Sequence, residues 1–219
     1  MARPAAVLDL DGTLVDTNYH HALSWYRSFR RFDITIPVWR LHRHVGMGGD
    51  KFVAAVAGDD VEKRHGDELR DEWERLFDQV IGEAAPLEGV RGLVATLKER
   101  GHEIVLASSS VQKHFDHFVD LLEIRDDLDG WTTKDDVEAT KPEPDLVQAA
   151  LEKAGSDDST MLGDTPWDVE AARKAGVETV CLITGGFSEE ELFEAGAAAV
   201  FESLDELRTH LDETPFRGD

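Results

Sequence analysis

The sequence predicts an α/β protein: a doubly wound parallel sheet with a helical domain inserted after the first strand. Three observations predict this fold. Short continuous apolar runs alternate with helical patterns along most of the 219 residues, which is typical of a parallel sheet covered on both faces. A glycine follows several of the helical patterns closely, as helix C-termini prefer. The segment from about residue 16 to residue 86 contains helical and loop patterns but no convincing strand.

The predicted elements of the sheet domain follow in order along the chain. The strands are apolar runs at Ala5–Leu10, Glu103–Ala107, near Trp131, Thr160–Leu162, Thr179–Ile183 and Ala198–Phe201. The helices between and after them are Val90–Arg100, Val111–Leu122, Pro144–Ala154, Pro166–Ala175 and Glu189–Ala195. In such sheets ligands bind beyond the carboxyl ends of the strands, so we expect the functional residues there.

The segment without strands predicts a helical cap domain at residues 17–85, inserted into an α/β core formed by residues 1–16 and 86–219. Val61–Ile81 reads as a long charged helix whose apolar residues share one face. Aromatic residues are frequent in the first part of the insertion, and we expect them to form its core, with a dimer surface as the alternative. These residues are Trp25, Tyr26, Phe29 and Trp39.

Composition and charge narrow the range of partners. The chain has 46 acidic and 23 basic residues and a net charge of −23, which disfavours nucleic acid and anionic membranes as partners. No apolar run is long enough for a bilayer span, the first residues do not show the pattern expected of a signal peptide, and the single cysteine permits no internal disulfide. We therefore expect a cytoplasmic protein. The excess of acidic residues either only keeps the protein soluble or is an adaptation to a salt-rich cytoplasm. At high ionic strength, ions screen the repulsion between the negative charges of the protein.

The strongest chemical signal follows the first predicted strand, in Asp9-Leu10-Asp11-Gly12-Thr13. Two carboxylates two positions apart on an extended backbone point towards one site. Buried like charges need a cation, and ligands that are all oxygen suit Mg²⁺. Gly12 allows the backbone to approach a ligand closely, and Thr13 supplies further donors.

Three later loops, each after its own strand, carry residues suited to phosphate chemistry. Ser108 and Ser109 open a helix, where hydroxyls and backbone N–H groups bind an anion or simply cap the helix. Lys141 stands before a proline-stiffened turn and is either a phosphate ligand or a surface lysine. Asp164 and Asp168 flank a helix start, where they complete a carboxylate cluster or cap the helix.

The segments DLDGTLVDT, ASS, KPEPD and GDTPWD resemble, in this order, the four signature motifs of the haloacid dehalogenase superfamily. The resemblance extends over essentially the whole chain, and the position of the insertion is similar to the subfamily with a helical cap. It implies that Asp9 is a nucleophile and Asp11 a general acid and base. It also implies Mg²⁺ as cofactor, held by Asp9, Asp11 (through its backbone carbonyl), Asp164 and Asp168. The implied phosphate-binding residues are Gly12, Thr13, Ser108, Ser109 and Lys141.

The resemblance implies a phosphatase that acts on a small phosphorylated metabolite, phosphoglycolate being one example, as a monomer or homodimer. Asp11 favours phosphate esters, since the dehalogenases of this superfamily lack that aspartate and the phosphonatases replace it with a small residue. A non-catalytic regulatory or binding member of the same fold is an alternative. The intact motif residues argue against it.

A second alternative, a phosphosugar mutase, rests on the predicted cap. His21 follows the first motif at a spacing similar to that in beta-phosphoglucomutases, but the cap loop at residues 46–50 has no arginine to hold a distal phosphate. Gly48 and Gly49 in that loop form either a substrate-specificity loop or a plain turn between helices. Lys51 stands in a setting similar to that of the Schiff-base lysine of phosphonatases, and is either a functional amine or a surface lysine.

Overall fold

The computed structural model describes residues 3–156 and 158–217. Its centre is a six-stranded parallel sheet in the order β3-β2-β1-β4-β5-β6, which confirms the predicted fold class. The chain builds one side of the sheet from β1 to β3 and then crosses to the other side at β4, so the order reverses between β1 and β4. The strands are β1 Ala5–Leu8, β2 Glu103–Ala107, β3 Gly130–Thr132, β4 Ser159–Gly163, β5 Glu178–Leu182 and β6 Ala199–Phe201.

The first four α-helices after β1 form the insertion. They are α1 Asn18–Arg31, α2 Val38–His42, α3 Gly49–Ala57 and α4 Asp59–Phe77. The long charged helix predicted at Val61–Ile81 is α4, shifted towards the N-terminus. Gly58, with a φ of 88°, separates it from α3, and acidic residues in its first turn favour a start directly after that glycine.

The core of the insertion is aromatic, as the sequence predicts, with one exception. Trp25 and Phe29 are buried, and the Trp25 ring stacks on Phe52 with 4.4 Å between ring centroids. The prediction is wrong for Trp39, which is 69% exposed. The reason is that the short helix α2 turns Leu41 and His42 inwards and leaves Trp39 on the outer side.

The two connections between insertion and sheet run side by side. Asp16 donates its backbone N–H to Ala85 O at 2.9 Å, and Leu87 donates to Leu14 O at 2.9 Å. This antiparallel pair lies where the sequence places the boundary between core and cap. The division into two domains stays a prediction.

The remaining α-helices cover the sheet: α5 Val90–Glu99, α6 Gln112–Leu122, α7 Asp145–Ala154, α8 Pro166–Ala175, α9 Glu189–Ala195 and α10 Leu204–Thr209. All but α10 were expected from the sequence. Gly155, Gly176 and Gly196 end three of them in the left-handed conformation, as helix C-terminal chemistry predicts. None of the helices in the described ranges is long and apolar enough to span a bilayer.

Candidate active site

The loop after β1 is fixed against the neighbouring strand β4. Asp9 donates its backbone N–H to Leu162 O at 2.9 Å, and Gly12 donates to Val15 O at 2.7 Å. Gly12 has a φ of 82°, and a Cβ there would lie 2.2 Å from Asp164 Oδ2. Only glycine therefore allows this turn to lie against the loop that follows β4.

Three buried carboxylates meet at this point of the sheet. Asp9, Asp164 and Asp168 each bring an oxygen within 4.8 Å of the others. Thr13 Oγ1 donates to Asp164 Oδ1 at 2.8 Å, and Asn18 Nδ2 donates to Asp164 Oδ2 at 2.7 Å. The cluster thus joins the loop after β1, the loop after β4 and the first residue of α1.

Asp168 both caps a helix and belongs to the carboxylate cluster, the two possibilities that the sequence left open. Its Oδ2 accepts the Thr165 N–H at 3.0 Å and the Thr165 hydroxyl at 2.6 Å, which caps the start of α8. Its Oδ1 faces the cluster and lies 2.8 Å from Lys141 Nζ. Capping therefore fixes the orientation in which Asp168 presents its second oxygen.

Lys141 is buried in the cluster and is not a surface lysine. Its side chain is 1% exposed, and its ammonium contacts both Asp9 Oδ1 and Asp168 Oδ1. Burial lowers the pKa of Lys141, but the charges of Asp168 and Asp9 outweigh that effect and raise the pKa above its ordinary value. The ammonium consequently stays charged at neutral pH.

One ammonium does not balance three buried carboxylates, and the pKa values show this excess of negative charge. Burial raises the pKa of Asp9 to about 7, although Lys141 lowers it. Burial, together with Asp168 and Asp9, raises the pKa of Asp164 well above its ordinary value. A compact set of buried carboxylate oxygens with excess negative charge fits a small hard cation such as Mg²⁺.

The carboxylate of Asp11 faces away from this cluster. Its Oδ1 lies 2.9 Å from His21 Nε2, and its Oδ2 accepts the Ser110 hydroxyl at 2.6 Å. Burial would raise the pKa of Asp11, but the charge and hydrogen bond of His21, with the hydroxyls of Ser110 and Thr17, lower it to about 2. Of the residues expected at the metal, Asp11 alone has its carboxylate outside the cluster, which fits the expected contribution of its backbone carbonyl only.

The three serines after β2 have different surroundings. Ser108 is fully buried, and its Oγ accepts the Ser110 N–H at 3.1 Å, which shapes the loop. Ser109 borders the cavity described below, and its buried hydroxyl has no hydrogen-bond partner within the described residues. Ser109 therefore presents the free hydroxyl of this loop.

A cavity of about 60 Å³ lies between the insertion and the carboxyl ends of the central strands. The sheet side contributes Asp9, Asp11, Ser109 and Ser110. The insertion contributes His21, Trp25, Val45, Gly46, Met47, Gly48, Gly49, Phe52 and Trp73.

The cap loop contacts the core directly next to this cavity. The Gly48 N–H donates to Lys141 O at 3.2 Å. A Cβ on Gly48 would lie 1.5 Å from Thr140 Oγ1, so this contact requires glycine. Lys51 is not among the residues that line the cavity, and its side chain is 42% exposed.

Sequence reasoning missed several residues of the site. Thr184 Oγ1 donates to Gly12 O at 2.6 Å, and a Cβ on Gly185 would lie 2.2 Å from Asp164 O. Both residues directly follow β5, so the rule that functional loops follow parallel strands could have found them. Asn18 has no comparable signal, because nothing in the first turn of a helix identifies its distant carboxylate partner.

Comparisons with known proteins agree with this geometry. The model of the haloacid dehalogenase-like hydrolase family matches residues 4–176. The chain therefore belongs to that family and is an enzyme of the hydrolase class.

Curated relatives of the chain are named as phosphatases of two kinds. A phosphoglycolate phosphatase of Mesorhizobium japonicum is 25% identical over 99% of this chain and 98% of its own length. The pyrophosphatase PpaX of Bacillus velezensis is 28% identical over 80% of this chain and 81% of its own length.

Solved structures share the whole architecture. A hydrolase from Pseudomonas syringae has a TM-score of 0.90 and 29% identity, covering 96% of this chain and 99% of its own. A beta-phosphoglucomutase from Clostridium difficile has a TM-score of 0.83 at 18% identity, covering 98% of this chain and 97% of its own, and this likeness shows the fold alone.

Proposed function

We propose that the protein is a Mg²⁺-dependent cytoplasmic phosphatase that hydrolyses a small phosphomonoester through an aspartyl-phosphate on Asp9. One observation carries the proposal: Asp9 borders the cavity while its carboxylate contacts the buried ammonium of Lys141. A nucleophilic carboxylate is thereby held beside a positive charge at a cavity that can admit a phosphate ester. The names of the relatives support the reaction class.

The reaction proceeds in two displacements. Asp9 attacks phosphorus, the bond between phosphorus and the leaving oxygen breaks, and the departing oxygen takes a proton from Asp11. A water then gives a proton to Asp11 and attacks the phosphoryl group. Inorganic phosphate leaves and the Asp9 carboxylate is restored.

Lys141 offsets the repulsion between the Asp9 carboxylate and an incoming phosphate dianion. Thr13 assists, since its hydroxyl lies 3.3 Å from Asp9 Oδ2 and 2.8 Å from Asp164 Oδ1 and so fixes both carboxylates. Asp9, Asp164 and Asp168 would hold Mg²⁺, which when bound neutralises charge on the phosphoryl oxygens. Ser109 has the free hydroxyl that is best placed to donate to one of those oxygens.

Asp11 is placed to exchange a proton at the leaving side of the phosphate. Held by His21 and Ser110, its carboxylate borders the cavity beside Asp9 but belongs to a separate hydrogen-bond network. A pKa of about 2 makes Asp11 a base in the resting enzyme. A phosphate dianion bound beside it raises that pKa, because a nearby negative charge favours the protonated form.

The mutase alternative receives no comparable support. Holding a second phosphate of a sugar bisphosphate requires a cation, and no lysine or arginine lines the cavity within the described residues. His21, which suggested the mutase, has a partner in Asp11 that explains its position in a phosphatase equally well.

The test is turnover of p-nitrophenyl phosphate with Mg²⁺, with EDTA, and with the variant Asp9→Asn. Wild type should require Mg²⁺, Asp9→Asn should be inactive, and Asp126→Asn, which changes an exposed carboxylate, should keep full activity. Turnover that is unaffected by EDTA would contradict the metal requirement. An active Asp9→Asn would contradict the nucleophile.

A further inference from the structure

The cavity wall opposite Asp9 is aromatic and apolar. The rings of Trp25, Phe52 and Trp73 border it as one stack, with centroids 4.4 Å apart for Trp25 and Phe52 and 5.1 Å apart for Trp25 and Trp73. Val45 and Met47 of the cap loop extend this wall. A phosphate ester bound at Asp9 would therefore direct its leaving group towards this surface.

Few charged groups border the cavity. Within the described residues its ionisable side chains are Asp9, Asp11 and His21, and the Nε2 of His21 already contacts Asp11 at 2.9 Å. An anionic leaving group would thus lie beside two carboxylates, with no lysine or arginine among the lining residues to pair with it, on a protein whose net charge is −23. An unpaired charge in such a site is strongly disfavoured.

Arg70 and Lys134 border an adjoining hollow that shares Gly49 with the cavity, but neither is among the residues that line the cavity itself. Arg70 lies there, 2.8 Å from Glu62 Oε1 and 2.8 Å from Asp67 Oδ1, so its charge is already paired. Lys134 borders the same hollow, together with Asp67, Asp71 and Glu74. This neighbouring space is therefore acidic as well.

The wall does offer an uncharged hydrogen-bond donor. The Trp73 indole N–H is buried and has no partner within the described residues, and the side chain borders the cavity. Such a donor suits a hydroxyl or ether oxygen of a ligand. The cavity volume of about 60 Å³, compared with roughly 10–15 Å³ for each water a cavity holds, favours a compact leaving group.

We propose that the substrate is the phosphate monoester of a small uncharged alcohol, so that the phosphate is its only anionic group. This inference rests on the proposed function and narrows its substrate. Phosphoglycolate and pyrophosphate each carry a second anion, and neither fits the uncharged wall. The aromatic stack and the free indole N–H of Trp73 instead match a short leaving group with an apolar face and a hydroxyl.

The test compares two esters that differ in one group. Phosphoglycolate carries a carboxylate where 2-hydroxyethyl phosphate carries a hydroxymethyl group. With the Mg²⁺-loaded full chain, kcat/KM should be higher for 2-hydroxyethyl phosphate by about 100-fold or more, the order expected for an unpaired buried charge. Equal or faster hydrolysis of phosphoglycolate would overturn the proposal.

A second variant tests the cause of the selectivity. Met47→Arg places a cation on the wall and should raise kcat/KM for phosphoglycolate at least tenfold over Met47→Leu, the matched apolar control. Circular dichroism establishes that both variants are folded. A folded Met47→Arg with no gain would count against the proposal.

The remaining outcomes separate this inference from the proposed function. If p-nitrophenyl phosphate is hydrolysed but neither small ester is, the inference fails and the phosphatase stands. If no ester is hydrolysed in the presence of Mg²⁺, the proposed function fails and the inference fails with it.

Discussion

Replacing Asp9 by Asn is expected to abolish turnover and, in EDTA at pH 8, to stabilise the protein. Asp9 shares a buried cluster with Asp164 and Asp168, and a single ammonium, that of Lys141, balances them. Asn keeps the size of the side chain and an oxygen that accepts from Lys141, but it removes one negative charge. The residue that we propose as the nucleophile therefore lowers the stability of the fold that holds it.

The magnitude follows from the pKa of Asp9, which burial raises from 3.8 to about 7. Because the folded state binds this proton more tightly than the unfolded state, stability decreases as the pH rises from about 4 to 7, and the full penalty is present above pH 7. The penalty in wild type is about 4 kcal/mol at pH 8 and about 2 kcal/mol at pH 5. Asp9→Asn has no such group, so its advantage should be about 2 kcal/mol larger at pH 8.

Urea denaturation in EDTA at both pH values measures this difference. Asp126→Asn is the control, since it changes an exposed carboxylate and should leave the difference near zero. If the Asp9→Asn variant is only as stable as wild type at pH 8, or less stable, the reasoning is refuted. It would mean that the pairing of Asp9 with Lys141 outweighs the cost of burying the charge.

Three further predictions concern the same cluster. Gly12→Ala should lower the free energy of unfolding by roughly 2 kcal/mol or more, because of the positive φ and a Cβ 2.2 Å from Asp164 Oδ2. Gly82→Ala is the control, since a Cβ there meets nothing within 4 Å. Equal effects of the two substitutions in urea denaturation would contradict the geometry. Millimolar Mg²⁺ should raise the melting temperature by more at pH 8 than at pH 6. The reason is that the cation displaces a proton from Asp9, whose pKa is about 7. A rise in melting temperature that does not depend on pH would be evidence against Asp9 as a ligand. Lys141→Met should cost about 3–5 kcal/mol in EDTA, because it leaves buried carboxylates unpaired, and a loss below about 1 kcal/mol by urea denaturation would contradict the role assigned to Lys141.

Much of the fold was predictable because its signals are local. The apolar run that forms β2 is flanked by polar residues and starts and ends as predicted, at Glu103 and Ala107. The first strand ends at Leu8 and not at Leu10, because the Leu10 carbonyl accepts the Leu14 N–H at 2.9 Å within the following turn. The short helix α10 was missed because its six residues provide too little periodicity to stand out.

The candidate site was predictable where residue type and position at a strand end agree, as at Asp9 and Asp164. Lys141 lies well beyond the end of β3, and residue type alone left it open between a phosphate ligand and a surface lysine. Orientation was not predictable. The sequence could not show that Asp11 turns towards His21, or that Ser109 has a free hydroxyl while Ser108 and Ser110 are engaged. These differences depend on partners from distant parts of the chain, which no local pattern encodes.

The stereochemical course at phosphorus tests the role of Asp9 most directly. An ester made chiral at phosphorus with sulfur and oxygen isotopes is hydrolysed by the Mg²⁺-loaded enzyme, and the configuration of the released thiophosphate is determined. Each in-line displacement inverts phosphorus, so attack by Asp9 followed by attack of water predicts overall retention. Overall inversion would mean that water attacks the substrate directly, and it would contradict an aspartyl-phosphate on Asp9.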